Sequence, residues 1–213
     1  IRYDFHHRSW PWRAVTSGLC AAWWFDAYDG SCYSALAPDF RPYPDFLEGL
    51  KEIRQLKSGV GKLLMHANAD YDAVGIHYSM ESLYAALAYG VPAGGGSHYY
   101  AFNLVLQEAG LSFRLVSPEQ TANGQLTDLK VLVLPASQAI SDNEVAAIGR
   151  FVESGGLLGA DVRPGVTDEH GKVRKVGALD LLLGGKQDLA LVGKKPEARE
   201  VTVAEGPLGK LDK

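Results

Sequence analysis

The sequence predicts an α/β protein: a parallel sheet covered by helices on both faces, preceded by the closing strand and helix of a parallel barrel. Three observations carry this prediction. From about residue 72, short apolar runs bounded by turn residues alternate with amphipathic segments of helical period, the pattern that builds a parallel sheet through helical crossovers. Residues 1–66 read instead as helix, doubly buried strand, loop and helix. All four Trp fall at positions 10, 12, 23 and 24, a shift in composition that separates two regions with different tasks, 1–66 and 67–213.

In the first region, Trp12 to Ser17 reads as the end of a helix closed by Gly18, a favoured residue just past a helix C-terminus. Leu19 to Phe25 is a continuous apolar run bounded by Gly18 and Asp26, which fits a strand buried on both faces. A loop follows, with Asp29-Gly30 as a turn signal and prolines at 38, 42 and 44. Pro44 suits the first turn of the next helix, and Asp45 and Glu48 suit its positive end. Phe46, Leu47, Leu50, Ile53, Leu56, Val60, Leu63 and Leu64 then form one apolar face at helical spacing. This order is what closes a parallel (β/α) barrel.

In the second region, Ala73 to Tyr78 reads as a strand and Glu81 to Tyr89 as a helix. Gly94-Gly95-Gly96-Ser97 reads as a flexible loop leading into a helix that carries Tyr100, Leu104, Val105 and Ala109 and stops at Gly110. Ser112 to Val116 is a strand, and Lys130 to Leu134 is a buried strand ended by Pro135. Ser141 and Glu144 form a capping box, in which each side chain bonds the other residue's backbone N–H. It opens a helix over 142–153 with Val145, Ile148, Phe151 and Val152 facing inward, closed by Gly155-Gly156 before a strand at Leu157 to Ala160. Residues 187–213 read as added β structure.

Bulk properties narrow the function. The 213 residues are 46% hydrophobic and 22% charged, as in globular proteins. A net charge of −4 offers no basic face, so nucleic acid is not an expected partner. No apolar stretch approaches the length of a membrane span. Cys20 and Cys32 are too few for a disulfide scaffold and form no CxxC pair for zinc. The chain opens on Ile1 in a stretch dense in aromatics and histidines. Both ends read as cut from a longer polypeptide, which leaves the compartment open.

The chemistry-bearing residues gather near the proposed barrel strand. Trp23, Trp24, Asp26, Tyr28 and Asp29 lie at its C-terminal end, the end that faces the active site in such barrels. Sugars present C–H faces that stack on aromatic rings and hydroxyls that bond carboxylates, so these residues suit a sugar subsite. Adjacent strand residues point to opposite faces, so only one of the two Trp can face the sugar; the alternative is that both are packing residues. Asp26 and Asp29 sit on one loop, whereas glycoside hydrolysis places its two carboxylates on opposite flanks of the bond. They are not expected to be the catalytic pair. His6 and His7 precede the first helix and read as packing or surface residues. The Gly94–Ser97 stretch lacks the spacing of a dinucleotide-binding loop. Residues 67–213 contain no Cys, which excludes amidotransferase chemistry there. Asp161, Arg163, Asp168, Glu169 and His170 follow a strand end and are candidates for a polar site or a solvated loop.

Four segments, Gly-Ile-His-Tyr-Ser at 75–79, Leu-Lys-Val-Leu-Val-Leu-Pro at 129–135, Ile-Ser-Asp-Asn-Glu-Val at 140–145 and Phe-Val-Glu-Ser-Gly-Gly-Leu-Leu at 151–158, resemble the β-galactosidase trimerisation domain. That domain follows the catalytic barrel in family 42 glycoside hydrolases, and its fold is flavodoxin-like, similar to an amidotransferase without its catalytic residues. The resemblance covers roughly residues 70–185, with Ala21 to Phe25 as the eighth barrel strand before it. It implies a homo-oligomer, a trimer in the family, acting on a galactoside-like carbohydrate with no cofactor and no metal. It also implies that an aromatic residue borders the sugar, with Trp24 the first choice and Trp23 the alternative. The family's catalytic glutamates lie on earlier barrel strands, so no catalytic residue is expected in this chain. A free-standing flavodoxin-like binding module is the rival reading.

Overall fold

The computed structural model describes residues 4–16, 19, 35–68, 70–90 and 94–194. The chain divides into two compact units, Ile1–Ala69 and Asp70–Lys213.

In the first unit, α1 (Asp4–Thr16) packs on α2 (Pro44–Gln55). The helix expected to end the chain's first element begins earlier than the sequence indicates, so His6 and His7 lie inside α1 rather than before it. The two helices are joined by Glu52, which accepts the Trp12 indole N–H at 2.8 Å on one oxygen and the Arg8 guanidinium at 3.2 Å on the other. Pro44 occupies the first turn of α2 as expected, where its missing N–H has no partner to lose.

The single long helix expected from Phe46 to Leu64 does not persist. A five-residue π turn, Leu56–Val60, separates α2 from α3 (Gly61–His66). Gly59 adopts φ 135° there, a conformation that residues with a Cβ rarely adopt. Of the eight apolar residues, only Leu56 is buried, and Leu47, Val60 and Leu63 are exposed. Periodicity runs through the glycine, but the backbone does not.

The second unit is a four-stranded, wholly parallel sheet of order β2-β1-β3-β4. The strands are β1 (Val74–His77), β2 (Arg114–Val116), β3 (Val131–Leu134) and β4 (Leu157–Ala160). α4 (Met80–Ala88) and α5 (Gly94–Glu108) connect β1 to β2, α6 (Pro118–Ala122) precedes β3, and α7 (Asp142–Glu153) joins β3 to β4. The steps β1→β2 and β3→β4 run in opposite directions along the sheet, so right-handed crossovers put their helices on opposite faces. This is the α/β class and the strand order of a flavodoxin-like sheet.

β3 is buried as its sequence predicts. Leu132 and Leu134 enter one core with Ile148 and Phe151 of α7, Val116 and Leu179, while Val133 is buried on the other face of the strand. Each fully buried aliphatic side chain contributes about 1.5–3 kcal/mol. Two glycines let neighbouring side chains close in: a Cβ at Gly75 would lie 2.6 Å from Leu129, and one at Gly156 would overlap the Phe151 ring.

The Ser141–Glu144 capping box is present with both bonds, and α7 has the expected bounds. A second box, Ser117 with Gln120, opens α6, an element the sequence reading missed. Gly94 to Ser97 form the first turn of α5 rather than a loop. Among the described residues of the 187–213 segment there is no strand; Leu189–Leu191 make a 3-10 turn, and 195–213 lie outside the described residues. No helix among the described residues is long and apolar enough to cross a membrane.

Candidate functional site

The connections of β1 and β3 leave in opposite directions, so a crevice is expected outside their carboxyl ends, where doubly wound sheets bind ligands. His77 ends β1 and Ser137 follows β3 by three residues. Their side chains meet: Ser137 Oγ lies 2.9 Å from His77 Nδ1, and Glu144 Oε1 lies 3.0 Å from His77 Nε2. The other Glu144 oxygen accepts the Ser141 N–H at 2.8 Å and the Ser141 hydroxyl at 2.7 Å. The His77 and Glu144 side chains are 0% and 3% exposed.

The order Ser, His, Glu is that of a nucleophile, a base and an orienting acid. Here all three are buried, and the hydroxyl offers no open face to a substrate. The network fastens three chain segments together rather than presenting a nucleophile. Burial pushes the Glu144 carboxyl up, but the His77 hydrogen bond, the Ser141 N–H and hydroxyl, and the imidazole charge outweigh it. The net effect holds Glu144 below the ordinary carboxylate value.

Beside this network lies a recess of about 210 Å³ whose walls include Glu81, Glu119, Glu144 and Glu169, with the Ser79 and Ser141 hydroxyls. Four carboxylates disfavour a phosphate-bearing ligand, which counts against a nucleotide or flavin at this crevice.

The residues expected to contact sugar, Trp23, Trp24, Asp26 and Tyr28, lie outside the described residues, as do Asp29, Cys20 and Cys32. The five polar residues after β4 fall in three places. Asp161 pairs with His98 of α5, Nδ1 to Oδ2 at 2.6 Å, each side chain 23% exposed. Asp168 instead accepts the backbone N–H groups of His170 and Lys172 in a tight turn, and these bonds hold its carboxyl low. Arg163 donates to the Lys194 carbonyl with φ 50°. Among the described residues, no group of three or more His, Cys, Asp or Glu side chains could hold a metal ion.

Sequence reasoning missed the His77–Glu144 and His98–Asp161 pairs. Their partners are 67 and 63 residues apart, and no local pattern links them. The one available signal was Glu144, whose capping role uses one carboxylate oxygen and leaves the other to be placed.

No protein-family model matches the sequence, and no curated protein matches it. Solved structures do. A β-galactosidase from Bacillus circulans sp. alkalophilus superposes with TM-score 0.63 at 19% identity, covering 82% of this chain and 27% of that one. A catalytic mutant of a GH42 β-galactosidase from G. stearothermophilus gives 0.57 at 21% identity, over 82% of this chain and 26% of that one. An exo-carrageenase GH42 from Bacteroides ovatus gives 0.51 at 15% identity, over 82% and 24%. The chain therefore spans no more than 27% of the length of these structures. At such identities the likeness establishes a shared fold.

Proposed function

We propose that this chain is a non-catalytic part of a β-galactosidase-like glycoside hydrolase. Residues 1–66 would supply the last unit of its barrel and 67–213 its flavodoxin-like assembly domain. The observation that carries the reading is the extent of the structural likeness. Coverage of 82% of the chain exceeds what Asp70–Lys213 alone can supply, so the likeness reaches into the first unit as well. In this reading Trp24, with Trp23 as the alternative, stacks on the sugar, and Asp26 and Tyr28 bond its hydroxyls. The substrate is a galactoside-like carbohydrate; the GH42 neighbour described as an exo-carrageenase leaves the linkage and ring substituents open.

The assembly role draws support from α4 and α5. Met80, Tyr84 and Leu87 on α4, and Tyr100 and Val105 on α5, are exposed large apolar side chains. Apolar surface of this kind marks sites of protein association. The partner is a further copy of the same polypeptide, three copies in the assembly.

The intact mass of the polypeptide as its natural source makes it tests the reading. A mass well above 23.0 kDa is expected. A mass near that value would leave no room for catalytic glutamates on earlier barrel strands and would favour the free-standing binding module.

A further inference from the structure

Two capping boxes open helices at the carboxyl end of this sheet, and they differ in one atom type. Ser117 pairs with Gln120 at the start of α6, and Ser141 pairs with Glu144 at the start of α7. Glutamine and glutamate serve this motif equally well, but only glutamate titrates. The ionisable version is also the one with a second partner. Glu144 Oε2 closes the cap, while Oε1 reaches the buried ring of His77 at the end of β1. That ring in turn meets Ser137 on the β3–α7 connection. One carboxylate therefore ties the last residue of β1 to the first turn of α7.

We propose that the His77–Glu144 pair is an acid-released latch, which fastens the β3–α7 connection to β1 at neutral pH and frees it when Glu144 takes a proton. Protonation removes the negative partner of an imidazole that is wholly shielded from water. Glu144 is the shared partner of the Ser141 N–H, the Ser141 hydroxyl and the His77 ring, and a neutral carboxyl accepts hydrogen bonds far more weakly than a carboxylate, so taking up a proton loosens all of these bonds together. The surroundings reinforce this. Glu81 from α4, Glu119 from α6 and Glu169 from the segment after β4 face the same recess as Glu144. On α7 itself, Asp142 is paired with Arg174 at 2.6 Å, and Arg174 also donates to the Ile140 carbonyl. Among the recess carboxylates, Glu144 is hydrogen-bonded to a buried imidazole, whereas Glu169 lies 3.8 Å from the exposed ring of His170. Because its carboxyl is held below the ordinary value of 4.5, release falls below that pH. The inference stands on the geometry of the second unit and does not depend on the hydrolase reading.

Hydrogen exchange followed by mass spectrometry on the full polypeptide tests it, at about pH 7 and about pH 3.5, corrected for intrinsic exchange. Peptides covering 137–146 should lose protection at least roughly tenfold at the lower pH, whereas those covering 117–123, with the glutamine box, should change far less. In Glu144→Gln, which keeps the cap and removes the titration, the acid-dependent loss at 137–146 should vanish. Equal loss in the variant and the natural protein, or equal loss at both boxes, overturns the latch. Should Glu144→Gln fail to fold, His77→Gln decides: it removes the ring through which Glu144 holds the end of β1. A smaller acid response then supports the latch, and an unchanged one overturns it.

Discussion

Asp161, the first residue after β4, accepts the backbone N–H of Ala136, just past β3, at 2.6 Å. Ala136 is buried and takes φ 42°, a left-handed conformation that costs a residue with a Cβ about 1 kcal/mol or more. The carboxylate holds it there while its other oxygen pairs with His98. Asp161→Ala leaves a buried N–H unmet and should lower stability by about 1–3 kcal/mol. Asp161→Asn, which keeps the carbonyl acceptor, should lose less. Urea denaturation of both variants reads the difference; equal losses would show that the Ala136 bond is unimportant.

Two glycines of the α7 region should respond in opposite directions. Gly156→Ala pushes a methyl into the Phe151 ring and should destabilise by about 1–3 kcal/mol, as overpacked cores do. Gly149, in the middle of α7, has nothing within 4 Å of an added Cβ. Gly149→Ala should stabilise by roughly 0.5–1 kcal/mol through helix propensity alone. Thermal melts of the two variants shifting the same way would contradict this packing.

The core prediction is larger. Leu132 and Ile148 are fully buried in one cluster, so Leu132→Ala should cost about 2–5 kcal/mol and Ile148→Val about 0.5–1.5 kcal/mol. Denaturant midpoints at constant slope measure both.

Removing the proposed sugar contact should act on substrate binding. In the parent enzyme, Trp24→Ala should raise KM by roughly tenfold, the effect of losing an aromatic contact worth about 1.4 kcal/mol. If Trp23→Ala does this instead, the strand register is shifted by one residue. If neither changes KM, the subsite assignment fails.

The assembly surface is tested by polar substitution of exposed residues, which should not harm folding. Tyr84→Ser with Leu87→Ser should lower the mass measured by light scattering in the parent protein. An unchanged mass would move the interface away from α4.

How much of this was readable depends on the range of each interaction. Strand β3 shows as an unbroken apolar run ended by Pro135, and α7 is framed by Ser141, Glu144 and the Gly155-Gly156 pair; all these signals are local, and each was legible. The α2–α3 break was not, because apolar spacing continues across Gly59 and only the backbone angle reveals the turn. Gly94 to Gly96 misled for the opposite reason: glycine disfavours helix, yet these residues form the first turn of α5. α6 is five residues long, too short for periodicity, although Ser117, Pro118 and Gln120 announce its start. The His77 network was out of reach, since it joins side chains brought together only by the sheet order β1-β3. The sugar-contact residues remain a reading of sequence and resemblance.

The most direct test of the central claim is hydrolysis of an aryl β-galactoside by the natural polypeptide, set beside the 213-residue chain at equal concentration. The account predicts turnover by the natural polypeptide and none by the chain alone, because the proposed function puts the catalytic glutamates outside these 213 residues. Turnover by the isolated chain, or no turnover of any aryl glycoside by the natural polypeptide, would contradict it.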